Sequence, residues 1–255
     1  MSSMSAPHRP AQTLAQKLIA KACGQAHVAP GDIVNCRVDL AMFHDSSGPR
    51  RLKPMLEDLG ARLWDPSKVV LVMDHYVPEQ DDDSRRIVRI ARDWAAEQRL
   101  PHVYDSIGIC HVVLPQKGHL RPGMFCVGGD SHSPTGGAFG TYMFGIGSTE
   151  MLGVVVTGEI WVRVPRTLRM WWDGQLPAGL TAKDMVLHMV GARPVKEGTG
   201  RVARFELPHL HGLNFVMHDA LEGGVNASLN LDAHGKSFGF LLLALPIALD
   251  EAAQR

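Results

Sequence analysis

Three short polar segments of this chain each place an acid beside or near a histidine. They are His44-Asp45-Ser46-Ser47, Asp74-His75 and Asp130-Ser131-His132. A carboxylate can fix the tautomer and orientation of a neighbouring imidazole, which suits the ring to general acid–base chemistry. A single pair of this kind is more often a strand-end cap or a hydrogen-bonded loop. Three such groups in one chain favour a shared site.

Glycines flank the third segment on both sides. Gly128-Gly129 precede Asp130, and Gly136-Gly137 follow Thr135. Glycine lets a backbone come close to a small ligand, and a loop that enters a helix can offer N–H groups to a carboxylate. The same glycines are equally compatible with tight turns alone, so the sequence leaves both interpretations open.

Histidine and carboxylate side chains are also metal ligands, and the chain has 13 histidines. A cluster-free metal hydrolase is a third interpretation, with these ligands: His44, Asp74, His75, Asp130 and His132. Their spacing matches no metal-binding motif, so we predict no metal ligand among them. Four other histidines are expected at the surface: His102, His119, His209 and His211.

Apolar runs end directly before two of the polar segments. Val69–Met73 is short, continuous and rich in β-branched residues, as expected of a parallel strand covered on both faces, and it stops at Asp74. Residues 124–127 form a similar candidate that leads into Gly128. Further strands are predicted at 32–40 and 166–172, and helices at 14–22, 52–63, 81–100, 149–161 and 181–190.

Strands that alternate with helices predict an α/β fold with a mostly parallel sheet. Ligands of such sheets bind outside the carboxyl ends of the strands. We therefore expect five residues to converge on one face of the sheet: His44, Asp74, His75, Asp130 and His132.

The composition excludes several classes of protein. The chain has 255 residues with 45% hydrophobic content, enough for a substantial core. It has 26 basic and 26 acidic residues, without the basic excess of a nucleic-acid-binding domain. The longest apolar stretch, residues 240–249, is too short to span a bilayer. We predict neither nucleic acid nor membrane as a partner.

The N-terminal residues 1–12 lack the apolar core of a signal peptide. We predict a disordered tail there and a cytoplasmic protein; a transit peptide is the less favoured alternative, because basic residues are sparse. The four cysteines include no CxxC pair and are expected to be buried thiols. We place Cys23 on a helix, Cys36 and Cys126 in strands, and Cys110 in a loop.

Longer motifs surround the polar segments. They are DHYVP at 74–78, GICHVVLP at 108–115, GGDSHS at 128–133, GGAFG at 136–140, FGIGSTE at 144–150 and LPAGLTAKD at 176–184. Their content and order resemble the aconitase-family large subunits, specifically the 3-isopropylmalate dehydratase and homoaconitase branch. The resemblance covers about residues 13–200.

This resemblance implies a three-layer α/β/α fold and hydro-lyase chemistry. Enzymes of the family move a hydroxyl between adjacent carbons of a di- or tricarboxylic acid. Three cysteines hold a 4Fe-4S cluster whose open iron serves as Lewis acid, and a separate small subunit is a possible partner. The implied catalytic residues are Asp74, His75, Asp130 and His132. The implied substrate-binding residues are His44, Asp45, Ser46, Ser131 and Ser133.

Two features depart from the family pattern. The family's cluster cysteines follow the segment at 176–184, whereas this chain has no cysteine after Cys126. Residues 202–255 show no match that we can identify. We therefore predict a tail at 1–12, a truncated aconitase-like domain at 13–200 and a C-terminal segment at 201–255 that does not match the family. Residues 202–255 are expected to pack poorly against the domain. The chain alone is expected to bind no cluster and to be inactive; the alternative is a non-catalytic remnant or partner subunit that binds a carboxylate.

Overall fold

The computed structural model of the chain describes residues 11–171, 177–180, 182–192, 201–206, 214–216, 228–230 and 240–241. Its helices are α1 (Leu14–Ala22), α2 (Pro49–Leu59), α3 (Asp82–Glu97), α4 (Cys110–Gln116), α5 (Ser148–Thr157) and α6 (Ala182–Ala192). Its longer strands are β1 (Ile33–Arg37), β2 (Leu40–His44), β3 (Val69–Met73), β4 (His102–Asp105), β5 (Phe125–Gly128), β6 (Tyr142–Gly145), β7 (Glu159–Arg163), β8 (Arg166–Trp171) and β9 (Arg201–Glu206). Three short strands follow: β10 (Asn214–Val216), β11 (Ser228–Asn230) and β12 (Phe240–Leu241).

The central sheet has five strands in the order β4-β3-β2-β5-β6, and every neighbouring pair is parallel. The mostly parallel sheet predicted from the sequence is confirmed. On one side of β2, the strands β3 and β4 follow in chain order toward one edge of the sheet. On the other side, β5 and then β6 follow toward the opposite edge. The strand order thus reverses between β2 and β5, and such a reversal opens a crevice at the carboxyl ends of the strands.

Helices cover both faces of this sheet and give three layers. On one face, Phe43 and Leu71 share a core with Trp94 of α3. On the other face, Met42 and Val70 pack with residues of α4. All five residues of β3 are buried, which explains why its sequence is a continuous apolar run rather than an alternating one. The three-layer α/β/α fold is confirmed.

Capping residues define the two best-predicted helices. Thr13 and Gln16 form a capping box at the start of α1, which spans the predicted residues. Asp81 caps α3 through the N–H of Ser84, and two further acids occupy its first turn, where the helix dipole favours negative charge.

Several elements differ from the sequence predictions. The strand predicted at 32–40 is β1 alone, and β2 begins at Leu40 as a separate strand. The helix predicted at 149–161 ends at Thr157, because Gly158 adopts a left-handed conformation (φ 74°) that favours glycine. The chain then forms β7, which pairs antiparallel with β1. The sequence also left β4, α4 and β6 unpredicted.

The C-terminal part joins the fold at least as far as β9. That strand pairs in parallel with β8 along its whole length, and Val202 is buried. The predicted poor packing from residue 202 is therefore wrong for Val202 itself. Gln12, predicted to lie in the tail, hydrogen bonds the backbone at Ala26 and Val28.

Residues 1–10, the turn at 173–174, the cap at Thr181 and most of 207–255 lie outside the described residues. Among the residues that the structure describes, no helix has the length and apolar character needed to cross a bilayer.

Candidate active site

The predicted polar residues meet at the carboxyl ends of three central strands. His44 ends β2, Asp74 follows β3, and Asp130 comes two residues after β5 ends at Gly128. Because β2 and β5 flank the reversal in strand order, the residues that follow them face the same crevice. The convergence expected from the sequence is present: His44 Nε2 lies 3.8 Å from Asp130 Oδ2, and the His44 ring stacks on that of His75.

Asp130 is the hub of one half of the site. Its Oδ1 lies 2.8 Å from His111 Nε2 and 3.2 Å from His132 Nδ1, and it accepts the backbone N–H of His132 at 2.5 Å. Its Oδ2 lies 3.8 Å from His44 Nε2. Burial alone would raise the pKa of Asp130, but hydrogen bonding and electrostatic interaction with His111 and His132 lower it well below its usual range. The carboxylate therefore stays ionised.

Asp74 and His75 form the other half. Asp74 Oδ1 lies 2.6 Å from His75 Nδ1, and Oδ2 accepts the backbone N–H of Cys110 at 2.6 Å. These hydrogen bonds outweigh burial and lower the pKa of Asp74. The bond to Asp74 raises the pKa of His75 against the opposing effect of burial. The His75 side chain is 39% exposed, so this ring is accessible.

His44 stacks on His75 and has the opposite character. The two ring centroids are 4.0 Å apart with an angle of 11° between the planes. His44 is buried, and its nitrogens contact Ser46 Oγ at 2.8 Å and Ser47 Oγ at 3.0 Å. Burial, and then the charge of His75, lower the pKa of His44 to about 4. The pKa values of the two stacked imidazoles are thus shifted in opposite directions, an arrangement that separates acid and base roles.

Two residues predicted to bind substrate form hydrogen bonds with the backbone of the site's loops. Asp45 is fully buried, and its oxygens accept the N–H groups of His75 at 3.1 Å and Tyr76 at 2.8 Å. Ser133 is also fully buried, and its hydroxyl donates to the carbonyl of Asp130 at 2.7 Å. In this structure both side chains shape the loops that carry the site. Ser131 is exposed, and its Oγ lies 3.3 Å from His132 Nδ1.

His111 belongs to the site but was not predicted as a site residue. It lies in α4, a helix that the sequence patterns did not predict, and it is buried. The available signal was a histidine inside the apolar run 108–115. Cys110, predicted in a loop, is the first residue of α4 and is fully buried.

A second group of histidines lies away from the site and is not simply at the surface as predicted. His102 and His119 are half-buried, with ring centroids 4.7 Å apart. His119 Nε2 lies 2.6 Å from Tyr104 Oη. His209 and His211, which were also predicted at the surface, lie outside the described residues.

Two groups of side chains have ligand atoms close enough to hold a metal ion, all within 4.8 Å of one another. One group is His44, Asp45, Asp74 and His75. The other group is His111, Asp130 and His132. Neither group contains a cysteine, so any ion held here would have nitrogen and oxygen ligands.

The fold and site define an α/β protein whose acid–base residues lie where the strand order reverses. The model of the aconitase family (aconitate hydratase) matches residues 16–216, and the chain belongs to this family. The match continues beyond residue 200, where we predicted the family pattern to end.

Individual relatives are similar to this chain over most of its length. A 3-isopropylmalate dehydratase large subunit 1 from Methanopyrus kandleri is 46% identical over 182 residues, which is 71% of this chain and 43% of the relative. A probable methanogen homoaconitase large subunit from Methanothermobacter thermautotrophicus is 39% identical over 197 residues, 75% of this chain and 46% of the relative. A 3-isopropylmalate dehydratase large subunit from Nitratidesulfovibrio vulgaris is 35% identical over 248 residues, 96% of this chain and 58% of the relative. The chain spans about half the length of these relatives.

The aconitase family generally uses a 4Fe-4S cluster, and cysteine thiolates hold such clusters. The four cysteines of this chain do not fit one. Cys36 lies in the core that contains α1 and α3, whereas Cys110 and Cys126 lie in the core on the opposite face of the sheet. Burial raises the pKa of all three thiols, that of Cys36 to about 12. Cys23, half-buried at the end of α1, is the remaining one.

Proposed function

We propose that this chain supplies the histidine–carboxylate part of a hydro-lyase site that acts on a hydroxy di- or tricarboxylic acid. One observation carries the proposal: the stacked pair of His44 and His75, held between Asp130 and Asp74 at the reversal in strand order. Membership of the aconitase family, and relatives named as 3-isopropylmalate dehydratase and homoaconitase, support the substrate class.

The proposed chemistry begins with His75. Loss of water requires a proton on the departing hydroxyl, and His75 is the proposed donor, because Asp74 raises its pKa and its ring is accessible. Asp74 stabilises the protonated ring and fixes its Nδ1, so that Nε2 is the nitrogen that transfers the proton. General acid catalysis of this kind contributes about 10²–10⁴-fold.

The remaining residues have supporting roles. Neutral His44 keeps a second positive charge away from the face of His75. Exposed Ser131 is the proposed hydrogen-bond donor to a substrate carboxylate. Asp45 and Ser133 are positioning residues, because they fix the loops that carry His75 and Asp130.

The cofactor and the partner follow from the family. A cluster of the family type supplies a Lewis acid when bound, and we propose that its ligands lie outside this chain's cysteines. The relatives are named large subunits, so we propose a small subunit as partner.

Ligand binding tests the proposal. The full chain is titrated calorimetrically with 3-isopropylmalate and with 2-isopropylsuccinate, the same acid without its hydroxyl. We expect the hydroxy acid to bind more tightly and the difference to shrink by about tenfold or more in His75→Asn, because a charge-assisted hydrogen bond contributes about 1.5–3 kcal/mol. His102→Asn, a half-buried histidine outside the site, is the matched control.

The outcome separates the two candidate functions. If both acids bind equally and His75→Asn changes neither, the chain is a carboxylate-binding protein rather than part of a dehydratase. If neither acid binds, the proposal fails for the chain on its own.

A further inference from the structure

We infer that Cys23 and Cys36 form a disulfide when the chain meets a small organic disulfide such as glutathione disulfide. Both residues are free thiols in the structure. Cys23 caps the C-terminal end of α1, and Cys36 lies in β1, shortly before β2 begins. The active-site residues lie where the central strands end, so the inference goes beyond the proposed function and does not depend on it.

A shared carbonyl group brings the two cysteines together. The Ile19 oxygen accepts the backbone N–H of Cys23 at 2.9 Å and also the Cys36 thiol, whose sulfur lies 3.9 Å away. The Cys23 thiol donates to the next carbonyl along the helix, that of Ala20, at 3.4 Å. Both thiols therefore bond to consecutive carbonyls of the same helical turn, and their sulfur atoms meet at the end of α1.

The electrostatics of Cys36 also identify Cys23 as its neighbour. Burial, followed by the electrostatic interaction and the hydrogen bond with Cys23, raises the pKa of Cys36 to about 12. A hydrogen bond between two thiols requires that no other side chain separates them. Cys23 also packs against the core cluster that contains Cys36. The sulfur atoms can therefore bond through rotation of the side chains, while α1 stays packed on β1.

The two thiols differ in exposure, which assigns them different roles. Cys23 is half-buried, so a small oxidant can reach it, whereas Cys36 is fully buried. A thiol with a raised pKa is also a poor nucleophile toward a molecule in solution. Cys23 is therefore the thiol that reacts with the oxidant, and Cys36 is the thiol that reacts with Cys23.

The reaction consists of two successive thiol–disulfide exchanges. In the first, Cys23 loses its proton and its sulfur attacks glutathione disulfide, whose S–S bond breaks; one glutathione leaves as a thiol with that proton. In the second, Cys36 loses its proton and attacks the Cys23 sulfur, and the other glutathione leaves in the same way. Two protein thiols are oxidised, and one glutathione disulfide is reduced to two glutathione molecules.

The other two cysteines are not expected to react. Cys110 and Cys126 are fully buried in the core on the opposite face of the sheet. Burial raises the pKa of both thiols, and a neighbouring carboxylate raises it further: Asp74 beside Cys110 and Asp39 beside Cys126. They serve as internal controls in the same sample.

The disulfide would link α1 to β1 across the loop 24–35. A cross-link of this kind removes conformational freedom from the unfolded chain and so stabilises the fold. We expect the oxidised chain to unfold at a temperature about 5–10 °C higher than the reduced chain.

Peptide mapping of the full chain tests the inference. The chain is reduced, freed of reductant, incubated with glutathione disulfide, then denatured and alkylated. Cleavage at Lys21 and Arg37 releases one peptide with both cysteines. We expect this peptide to carry no alkyl group and to be lighter by two hydrogen atoms than its reduced form. Further cleavage at Asp32 should give two fragments that separate only after reduction, whereas Cys110 and Cys126 should be alkylated.

Two variants trap the separate steps. Cys36→Ser should retain glutathione on Cys23, and Cys23→Ser should leave Cys36 alkylated, without glutathione and without the rise in unfolding temperature. The map of the parent chain decides the matter even where a variant fails to fold. Glutathione retained on Cys23 of the parent chain, alkylation of both cysteines, or a disulfide that involves Cys110 or Cys126 would each overturn the inference. An unchanged or lower unfolding temperature of the oxidised chain would overturn the stabilising link between α1 and β1.

Discussion

Single residues in the site differ most clearly in the direction of their pKa shifts. His44 and His75 stack face to face, yet burial lowers the pKa of one and the bond to Asp74 raises the pKa of the other. In the unfolded chain both side chains have the ordinary pKa of histidine. Each pKa shift in the folded state therefore makes the free energy of unfolding depend on pH.

We predict that His44 destabilises the fold as the pH falls. Its pKa is about 6.5 when unfolded and about 4 when folded, so the unfolded state binds more protons between these values. The stability contribution is present above pH 6.5 and is lost as the pH falls through about 4. Its size is about 3 kcal/mol at most, since one pKa unit corresponds to about 1.4 kcal/mol.

Urea unfolding of the parent chain and His44→Asn at pH 4, 5, 6 and 7 measures this effect. The variant should lose most of the pH dependence between about pH 6.5 and 4. His27→Asn, a half-buried histidine outside the site, should retain it. Parallel curves for the parent chain and His44→Asn would contradict the assignment. Asp130 acts in the same direction at lower pH, because its pKa is lowered from 3.8.

Asp45 gives a second prediction at this scale. Asp45→Asn keeps the shape of the side chain but has one acceptor oxygen for the two N–H groups of His75 and Tyr76. A buried N–H without a partner costs about 1–3 kcal/mol, so the free energy of unfolding should fall by that amount. Asp58→Asn, on the exposed end of α2, should change it by less than about 0.5 kcal/mol. Equal effects would show that Asp45 does not anchor the loop.

At the scale of elements, a helix or strand could be predicted where its own residues carry a recognisable sequence pattern. The strand β3 and the helices α1 and α3 were predicted because an apolar run or a capping pattern lies within each element. The elements β2, β4, β6 and α4 were missed because they lack the β-branched run of β3 and the capping pattern of α1 and α3. The three strands depend on pairing with strands distant in sequence, which a local pattern does not contain.

Close packing between β6 and the loop of Asp130 gives an element-scale prediction. A Cβ atom at Gly145 would overlap the backbone oxygen of Asp130 and crowd Ser131 Cα. Backbone atoms cannot rotate away, so Gly145→Ala should destabilise the fold by about 1–3 kcal/mol. Gly153→Ala is the matched control: this exposed helical glycine has nothing within 4 Å. There alanine should stabilise by up to about 1 kcal/mol. Thermal unfolding of both variants measures the difference. Similar shifts in the unfolding temperature of the two variants would contradict the close packing of Gly145 against Asp130.

Across the whole molecule, the site is a product of topology. The sequence indicated that Asp74 and Asp130 follow strands, and the parallel sheet then placed them at one edge. It did not indicate that β2 and β5 are neighbours, which is what brings His44 within 3.8 Å of Asp130. Strand order is set by contacts between distant parts of the chain. For the same reason the burial of Asp45 and the contact of His111 with Asp130 were not predictable.

The arrangement of cysteines leads to a prediction about the isolated chain. We expect it to bind no 4Fe-4S cluster and to show no dehydratase activity. A cluster of the family type needs three converging thiolates. Here Cys36 lies on one face of the central sheet and Cys110 and Cys126 on the other. Bringing them together would require the sheet to come apart, and their raised pKa values disfavour the thiolate form.

Anaerobic reconstitution with iron and sulfide, followed by elemental analysis and a hydration assay, measures cluster binding. A complete aconitase-family large subunit, treated in parallel, shows that the conditions load a cluster. Substoichiometric iron and no turnover are the expected results, because acid–base groups alone contribute only about 10²–10⁴-fold. About four irons per chain together with turnover would contradict the prediction. Turnover that appears only after a small subunit is added would place the missing cluster ligands on the partner and leave the proposed roles of Asp74 and His75 intact.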